Sequence, residues 1–104
     1  MALGKPVIAT AWSGNLDFMN ARNSALVSCK LIPVHDPEGA FDSGDQKWAD
    51  ANVEEASEWL RRLAADADLR ARMGAAAAKD IAVQLSPKTF ASTVAALIEA
   101  TDRR

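Results

Sequence analysis

The apolar run at residues 6–10 (PVIAT) constrains the fold of this chain more than any other feature. It contains two β-branched aliphatic residues, Gly4 lies just before it, and the polar loop Ser13-Gly14-Asn15 follows it. A short, unbroken apolar strand of this kind is typical of a parallel sheet that is covered on both faces. The run therefore predicts an α/β fold in which this strand has parallel neighbours.

Those neighbours are harder to find in the sequence. Residues 25–28 (ALVS) and 31–34 (LIPV) are further strand candidates, and Pro33 favours a sheet edge for the second. Residues 35–46 predict a long turn or an exposed hairpin, because they are rich in Asp, Gly, Pro and Ser. No crossover helix of a dozen or more residues fits between Thr10 and Ala25. We therefore expect the partners of the first strand to come from residues before Met1 or from another chain.

The second half of the chain predicts three helices. Asn52 and Glu55 fit a capping box, with Glu55 reaching back to the N-cap. Asp66 or Asp68 is the N-cap of a second helix, and Ser86-Pro87 begins a third. Apolar residues recur every three or four positions on one face of each helix. They are Val53, Ala56, Leu60 and Leu63; then Leu69, Met73, Ala77 and Ile81; then Phe90, Val94, Leu97 and Ile98.

Composition excludes several classes of function. A length of 104 residues fits one small domain, and a net charge of -2 with interleaved acids and bases gives no reason to expect nucleic acid or an anionic membrane as partner. The single cysteine, Cys29, excludes an intrachain disulfide and predicts a small buried hydrophobe. No signal peptide is recognised, and no apolar stretch approaches the roughly 20 residues of a membrane span. We expect a soluble, cytoplasmic protein.

Several segments, in order, match motifs of one family. Residues 1–10 (MALGKPVIAT) resemble the stretch Glu-Ala-Met-Ala-x-Gly-x-Pro-Val-Ile of retaining glycosyltransferases of the GT-B fold, family 4 type. Residues 13–18 (SGNLDF) resemble its Gly-containing loop followed by an acid, and residues 23–27 (NSALV) its Asn-Gly-x-Leu-Val strand. Residues 68–77 (DLRARMGAAA) resemble its Asp-Pro-x-Leu-Arg-x-x-x-Gly-x-x-Ala helix, and Leu85-Ser86 its closing segment.

The resemblance implies a partial Rossmann-like C-terminal half-domain of the GT-B fold, with a few-stranded parallel sheet and three helices in its second half. Residues 1–104 would be the C-terminal segment of the domain that binds the nucleotide-sugar donor. Within it, residues 29–48 are longer than the plain family loop and would be a loop or hairpin insertion. Residues 52–101 would be the helical part.

The resemblance also implies which catalytic groups this chain lacks. In such enzymes two glutamates, separated by seven residues, hold the donor, and the second would lie two residues upstream of Met1. The basic residues that bind the diphosphate and the acceptor domain would also be missing. We therefore assign no catalytic residue, metal site or cofactor, and expect a fragment that is inactive alone. The nucleotide-sugar and the acceptor would be partners only of the complete enzyme.

Four residues are candidates for contact with donor or substrate: Ser13, Gly14, Asn15 and Asp17. They follow the carboxyl end of the first strand, where open α/β sheets bind ligands. Gly14 would let a bound group approach the backbone, while Ser13 and Asn15 offer hydrogen bonds. Two alternatives remain open: the loop is simply a polar turn, and Asp17 caps a following helix.

A second class of function also stays open. The incomplete sheet predicts an unpaired strand edge, and such an edge invites pairing with another copy of the chain. The alternative is therefore a non-catalytic interaction or scaffold module that associates with itself, and in either case we expect a homo-oligomer.

Overall fold

A computed structural model describes residues 1–41 and 44–103 and has four strands and three α-helices in its described part. The strands are β1 (Ile8–Thr10), β2 (Ala25–Val27), β3 (Cys29–Pro33) and β4 (Lys47–Ala51). The helices are α1 (Val53–Ala65), α2 (Ala67–Gln84) and α3 (Pro87–Asp102), and a 3-10 helix at Ser13–Asp17 follows β1. The mixed α/β class and the three helices of the second half are as predicted.

Strands β1 and β2 form a parallel pair. Ile8 is opposite Ala25 and Thr10 is opposite Val27, and the Ala11 amide donates to the Val27 carbonyl at 2.7 Å. The first strand therefore has a neighbour within this chain, and the prediction that its partners lie elsewhere is wrong for β2. Residues 11–24 suffice as a crossover because they contain the short 3-10 helix instead of an α-helix.

Strands β3 and β4 form an antiparallel hairpin. Ile32 pairs with Trp48 and Pro33 with Lys47, the last pair of the register. The sequence pattern predicts no strand at Lys47–Ala51, and it places the preceding strand at 31–34 instead of Cys29–Pro33. Cys29 is half-buried, so the prediction of a small buried hydrophobe is wrong.

Each α-helix begins at a polar cap. The side chain of Asn52 accepts from the Glu55 amide at 3.0 Å, that of Asp66 from Leu69 at 2.8 Å, and that of Ser86 from Thr89 at 3.0 Å. These contacts satisfy amide groups that a helix leaves unpaired in its first turn. They confirm Asn52 and Ser86 as caps and select Asp66 over Asp68.

The core is small and lies where the helices meet the parallel strands. Ala25, Leu63 and Met73 are buried together, and Ile8, Trp59 and Leu69 pack against them. Val53 and Leu60 are 68% and 62% exposed, so the predicted apolar face of α1 is only partly used. These side chains stay exposed because the two-stranded sheet is too narrow to cover the whole apolar face of α1.

Helix α2 also touches the turn that precedes β1, through two glycines. Gly4 has a left-handed backbone (φ +67°), and an added Cβ at Gly74 would lie 2.0 Å from the Gly4 carbonyl oxygen. Backbone therefore meets backbone at this point, which is possible only because Gly74 lacks a side chain.

Helix α3 extends away from the core, and the chain is elongated, with a radius of gyration of 17.9 Å. A compact chain of this length would have a radius of about 13 Å. The helical stretch Ala67–Asp102 is long and apolar enough to cross a membrane, with a mean hydropathy of 1.3 in an 18-residue window of which none is buried. One such helix is weak evidence, so the absence of a membrane span and the cytoplasmic location stay predictions.

Candidate functional site at the carboxyl edge of the parallel strands

The carboxyl ends of β1 and β2 lie at the same edge of the parallel pair. The loop Ser13–Asp17 follows β1 at this edge, and Ser28 and Cys29 follow β2. The Cys29 thiol lies 4.0 Å from the carbonyl oxygen of Ala11, so the two segments are close neighbours. Ligands of open α/β sheets bind in the crevice outside such strand ends. This edge is therefore the candidate site.

Ser13 occupies an unusual backbone conformation. Its φ is +66°, and it is the only residue other than glycine with a positive φ in the described ranges. A left-handed residue with a Cβ costs about 1–2 kcal/mol. The side chain of Ser13 is exposed, as are its neighbours Trp12 and Gly14. The fold thus maintains a strained, accessible turn at the strand end, as is common at binding sites.

Asn15 braces this loop from within. Its side-chain amide nitrogen donates to the carbonyl oxygen of Thr10 at 3.0 Å and contacts Sδ of the buried Met19 at 3.4 Å. Its backbone carbonyl also accepts from the Met19 amide at 2.8 Å. The donors of Asn15 are therefore engaged inside the protein, and the groups presented outward are the Ser13 hydroxyl and the backbone at Gly14.

Asp17 is exposed at the end of the 3-10 helix. The alternative interpretation of Asp17 as the cap of a following helix is wrong, because the next element is strand β2. Its carboxylate lies on the same loop as Ser13 and Gly14, so three of the four predicted residues are accessible together.

A cleft of about 460 Å³ opens beside Ser28 and Cys29. Its other lining residues come from the base of the hairpin and the start of α1: Lys30, Asp50, Ala51, Asn52, Val53 and Glu54. Lys30 and Asp50 are opposite each other in the hairpin register. One cation among two carboxylates gives this cleft no excess positive charge for a diphosphate.

Glu55 joins α1 to the end of β2. Its carboxylate accepts hydrogen bonds from both the hydroxyl and the amide of Ser28, and the Asn52 amide donates to the Ser28 carbonyl at 2.8 Å. The predicted return of Glu55 to the Asn52 amide is therefore wrong, because Ser28 is the partner of both groups. The Ser28 hydroxyl, and then its amide, lower the pKa of Glu55 below its ordinary value.

A second polar cluster fixes the loop at its far end. Asn23 is fully buried, and its amide nitrogen donates to the Asp80 carboxylate at 2.9 Å and to the Phe18 carbonyl at 3.0 Å. Arg22 donates to both oxygens of Asp80, at 3.0 and 3.2 Å. The hydrogen bond from Asn23 is the largest cause of the lowered pKa of Asp80, followed by that from Arg22.

Sequence reasoning misses this cluster. In the sequence, Asn23 belongs only to a strand motif, and nothing marks Asp80 as its partner because 57 positions separate them. A buried amide and a half-buried carboxylate of this kind position other groups, here the loop at residues 13–19, and do not themselves reach the strand edge.

Within the described ranges, no group of three or more His, Cys, Asp or Glu side chains could hold a metal ion. Comparisons with protein-family models, with curated proteins and with solved structures gave no match. An assignment of function therefore depends on the motif residues and on where the fold places them.

Proposed function

We propose that this chain forms part of the nucleotide-sugar-binding domain of a retaining glycosyltransferase of the GT-B fold. It would supply parallel strands, three helices and the loop at residues 13–17. One observation carries the proposal. Gly4 and Gly74 belong to two separate motifs of the resemblance, and these two glycines are in backbone contact. The contact requires glycine at position 74, and the left-handed backbone at position 4 favours glycine there, as a fold shared with that family would need.

The proposal assigns this chain a positioning role. Retaining transfer needs the leaving diphosphate to be neutralised and the sugar to be held while charge develops at its anomeric carbon. At the carboxyl edge, Lys30 lies among the carboxylates of Asp50 and Glu54, so this edge has no net positive charge to neutralise a diphosphate. The Ser13 hydroxyl and the exposed backbone at Gly14 are suited to hydrogen bonds with a neutral or anionic donor. We therefore expect binding without transfer when the chain is alone.

Titration of the ¹⁵N-labelled chain with UDP, GDP, ADP and their glucose esters tests this proposal. We expect amide shifts confined to residues 12–17 and to Ser28, with a Kd of about 1 mM or weaker because few charged contacts are available. A Gly14→Ala chain is the matched variant. Its added Cβ meets nothing within 4 Å, so folding is preserved while approach to the backbone is obstructed. Shifts elsewhere, or none with any of these nucleotides, would refute the proposal.

The second candidate function is a non-catalytic module that associates with itself. The observation in its favour is that, among the described strands, β1 and β2 pair only with each other. Each leaves an edge unpaired, and free edges favour pairing between chains. A multimer in multiangle light scattering together with no nucleotide shifts in the titration would favour this candidate, whereas shifts at residues 12–17 would favour the first.

A further inference from the structure

The far end of the hairpin carries a second cavity, which we call the hairpin pocket. It has a volume of about 550 Å³ and is lined by Val34, Phe41, Gln46, Lys47 and Trp48. Val34 lies five residues beyond Cys29, which places it about 17 Å along the hairpin from the cleft at the carboxyl edge. The hairpin pocket is therefore separate from the candidate site described above.

The register of the hairpin brings three of the lining side chains to one face. The Val34 amide donates to the Gln46 carbonyl at 3.0 Å, one residue beyond the last pair of β3 and β4. Because side chains alternate between the two faces of a strand, Val34, Gln46 and Trp48 share one face. Lys47 lies on the opposite face by the same alternation. The strand face that forms the pocket is therefore uncharged at these positions.

Asp36 fixes the loop that supplies the second aromatic ring. Its carboxylate accepts from the Phe41 amide at 2.9 Å and from the Glu38 amide at 3.0 Å, and its carbonyl accepts from the Gly39 amide at 3.0 Å. The Phe41 amide, and then the Glu38 amide, lower the pKa of Asp36 below its ordinary value. These contacts within residues 36–41 bring Phe41 back to the strand ends, opposite the ring of Trp48.

The two aromatic rings of the pocket are open to solvent. Trp48 is 44% exposed and Phe41 is 69% exposed. A pocket this shallow does not enclose a wholly apolar ligand such as an acyl chain, but it offers flat surfaces on which one face of a ring can stack. Among the described residues, the side-chain amide of Gln46 has no hydrogen-bond partner. It can therefore donate to a ligand and accept from it.

These features match the chemistry of a saccharide. One face of a pyranose ring presents C–H groups, which the electron-rich face of an aromatic ring attracts. The rim of the same ring carries hydroxyls that both donate and accept, as the Gln46 amide does. A phosphate ligand would instead need cations, and the strand face of the pocket carries none. A proline-rich peptide also packs on exposed aromatic rings, but its prolines have no N–H to donate to that amide.

We propose that the hairpin pocket binds a neutral saccharide, with a sugar ring stacked on Trp48 and Phe41 and its hydroxyls hydrogen-bonded to Gln46. A volume of about 300–1,000 Å³ with mostly apolar walls and a few polar groups is typical of ligand sites. The proposal goes beyond the nucleotide-sugar proposal and does not rest on it, because the pocket shares no lining residue with the cleft at the carboxyl edge.

Titration of the ¹⁵N-labelled chain with cellotetraose, maltotetraose and N-acetylchitotetraose tests this proposal. We expect at least one of them to shift the indole N–H of Trp48 and the amides of the lining residues. Phe41→Ala and Trp48→Ala should each raise the Kd roughly tenfold or more, because each removes one stacking surface. Trp12→Ala is the matched control. Trp12 is also 44% exposed but lies at the carboxyl edge, so its loss should leave this Kd unchanged.

Two of the variants separate loss of binding from loss of folding. Trp48 is opposite Ile32 in the hairpin register, so Trp48→Ala also weakens the pairing of β3 and β4. Phe41 lies outside both strands, so Phe41→Ala removes a stacking surface and leaves the pairing intact. Asp36→Ala removes no lining residue but releases Phe41, and it should raise the Kd about fivefold because the ring is no longer held in place.

The outcomes that would overturn the proposal fall on different resonances from those of the nucleotide titration. No shift of the Trp48 indole with any of the three saccharides would overturn it, as would a Kd that Trp12→Ala raises and Phe41→Ala does not. Shifts at the pocket with decaproline, and none with the saccharides, would assign the pocket to a peptide instead. Nucleotides are expected to shift residues 12–17 and Ser28, so each proposal can fail while the other stands.

Discussion

Replacing Gly74 by alanine should destabilise this protein, although the same change stabilises most helices. In a helix interior, alanine is favoured over glycine by about 1 kcal/mol. At Gly74, however, the new Cβ would lie 2.0 Å from the carbonyl oxygen of Gly4 and 2.8 Å from its carbonyl carbon. Both atoms belong to the backbone, so neither can rotate away as the end of a side chain would. Helix α2 and the turn before β1 must move apart.

The size of that movement sets the cost. Ordinary van der Waals contact begins at 3.4 Å, so relief of the clash needs a separation of about 1.4 Å. The turn leads directly into β1, whose Ile8 packs on the small core of Ala25, Leu63 and Met73. Overpacking of this kind costs about 1–3 kcal/mol, and the helix-propensity gain of alanine offsets about 1 kcal/mol of it. Because both clashing atoms are backbone, the cost lies at the upper end of that range, and we expect a net loss of about 2 kcal/mol.

Urea and thermal unfolding followed by circular dichroism measure this loss. For a domain of this size, each 1 kcal/mol corresponds to a Tm change of about 4–8 °C. Two controls isolate the contact. Ala75→Gly, at the next and exposed position of α2, should show the ordinary cost of glycine in a helix. Gly14→Ala, whose Cβ has open space, should leave stability nearly unchanged. A Gly74→Ala protein as stable as the parent, or more stable, would refute the contact and weaken the functional proposal that depends on it.

Three other changes follow from the same structure. Ser13→Gly should raise the free energy of unfolding by about 1 kcal/mol, because it removes the Cβ from a left-handed residue, whereas Ser13→Ala should not. Equal effects of the two substitutions in chemical denaturation would contradict backbone strain at Ser13. Asn23→Ala should lower the free energy of unfolding by about 1–3 kcal/mol, because it leaves buried hydrogen-bond partners unpaired. Arg22→Ala removes an exposed ion pair and should lower it by less than about 1 kcal/mol. The reverse order in urea titrations would be evidence against the buried network. Hydrogen bonds from Ser28 hold the pKa of Glu55 below 4.5, so they add stability that is present above pH 4.5 and is lost as the pH falls through the lowered value. Glu55→Gln should therefore flatten the decline of stability below pH 4.5, and an unchanged acid limb would contradict this assignment.

Local chemistry explains what could be predicted from the sequence. Asn52 and Ser86 begin helices because their side chains accept from amides three residues ahead, a contact that needs no information from the rest of the chain. The apolar positions Met73 and Ala77 are buried as their spacing predicts. The loop after β1 also lies at the carboxyl edge of the parallel pair, since that placement follows from strand direction alone.

The sequence predictions are wrong where contacts between distant segments determine the structure. Glu55 matches the second residue of a capping box, but its carboxylate accepts hydrogen bonds from the amide and hydroxyl of Ser28 at the end of β2 and not from the Asn52 amide. The crossover between β1 and β2 needs no α-helix, because a 3-10 turn braced by Asn15 spans the same gap. The spacing of residues in the sequence could not predict either contact, since each depends on which strand ends lie together in the fold.

The two candidate functions make different demands on the same variants, which allows each to fail alone. Gly14→Ala alters the carboxyl edge and leaves the free edges of β1 and β2 untouched, so it should abolish the nucleotide shifts without changing the mass measured by light scattering. Loss of both properties in Gly74→Ala, together with lower stability, would show that both depend on the fold that Gly4 and Gly74 hold together. If instead Gly14→Ala also lowers the mass, the loop at residues 13–17 takes part in the contact between chains, and the assignment of the site to a single chain is wrong.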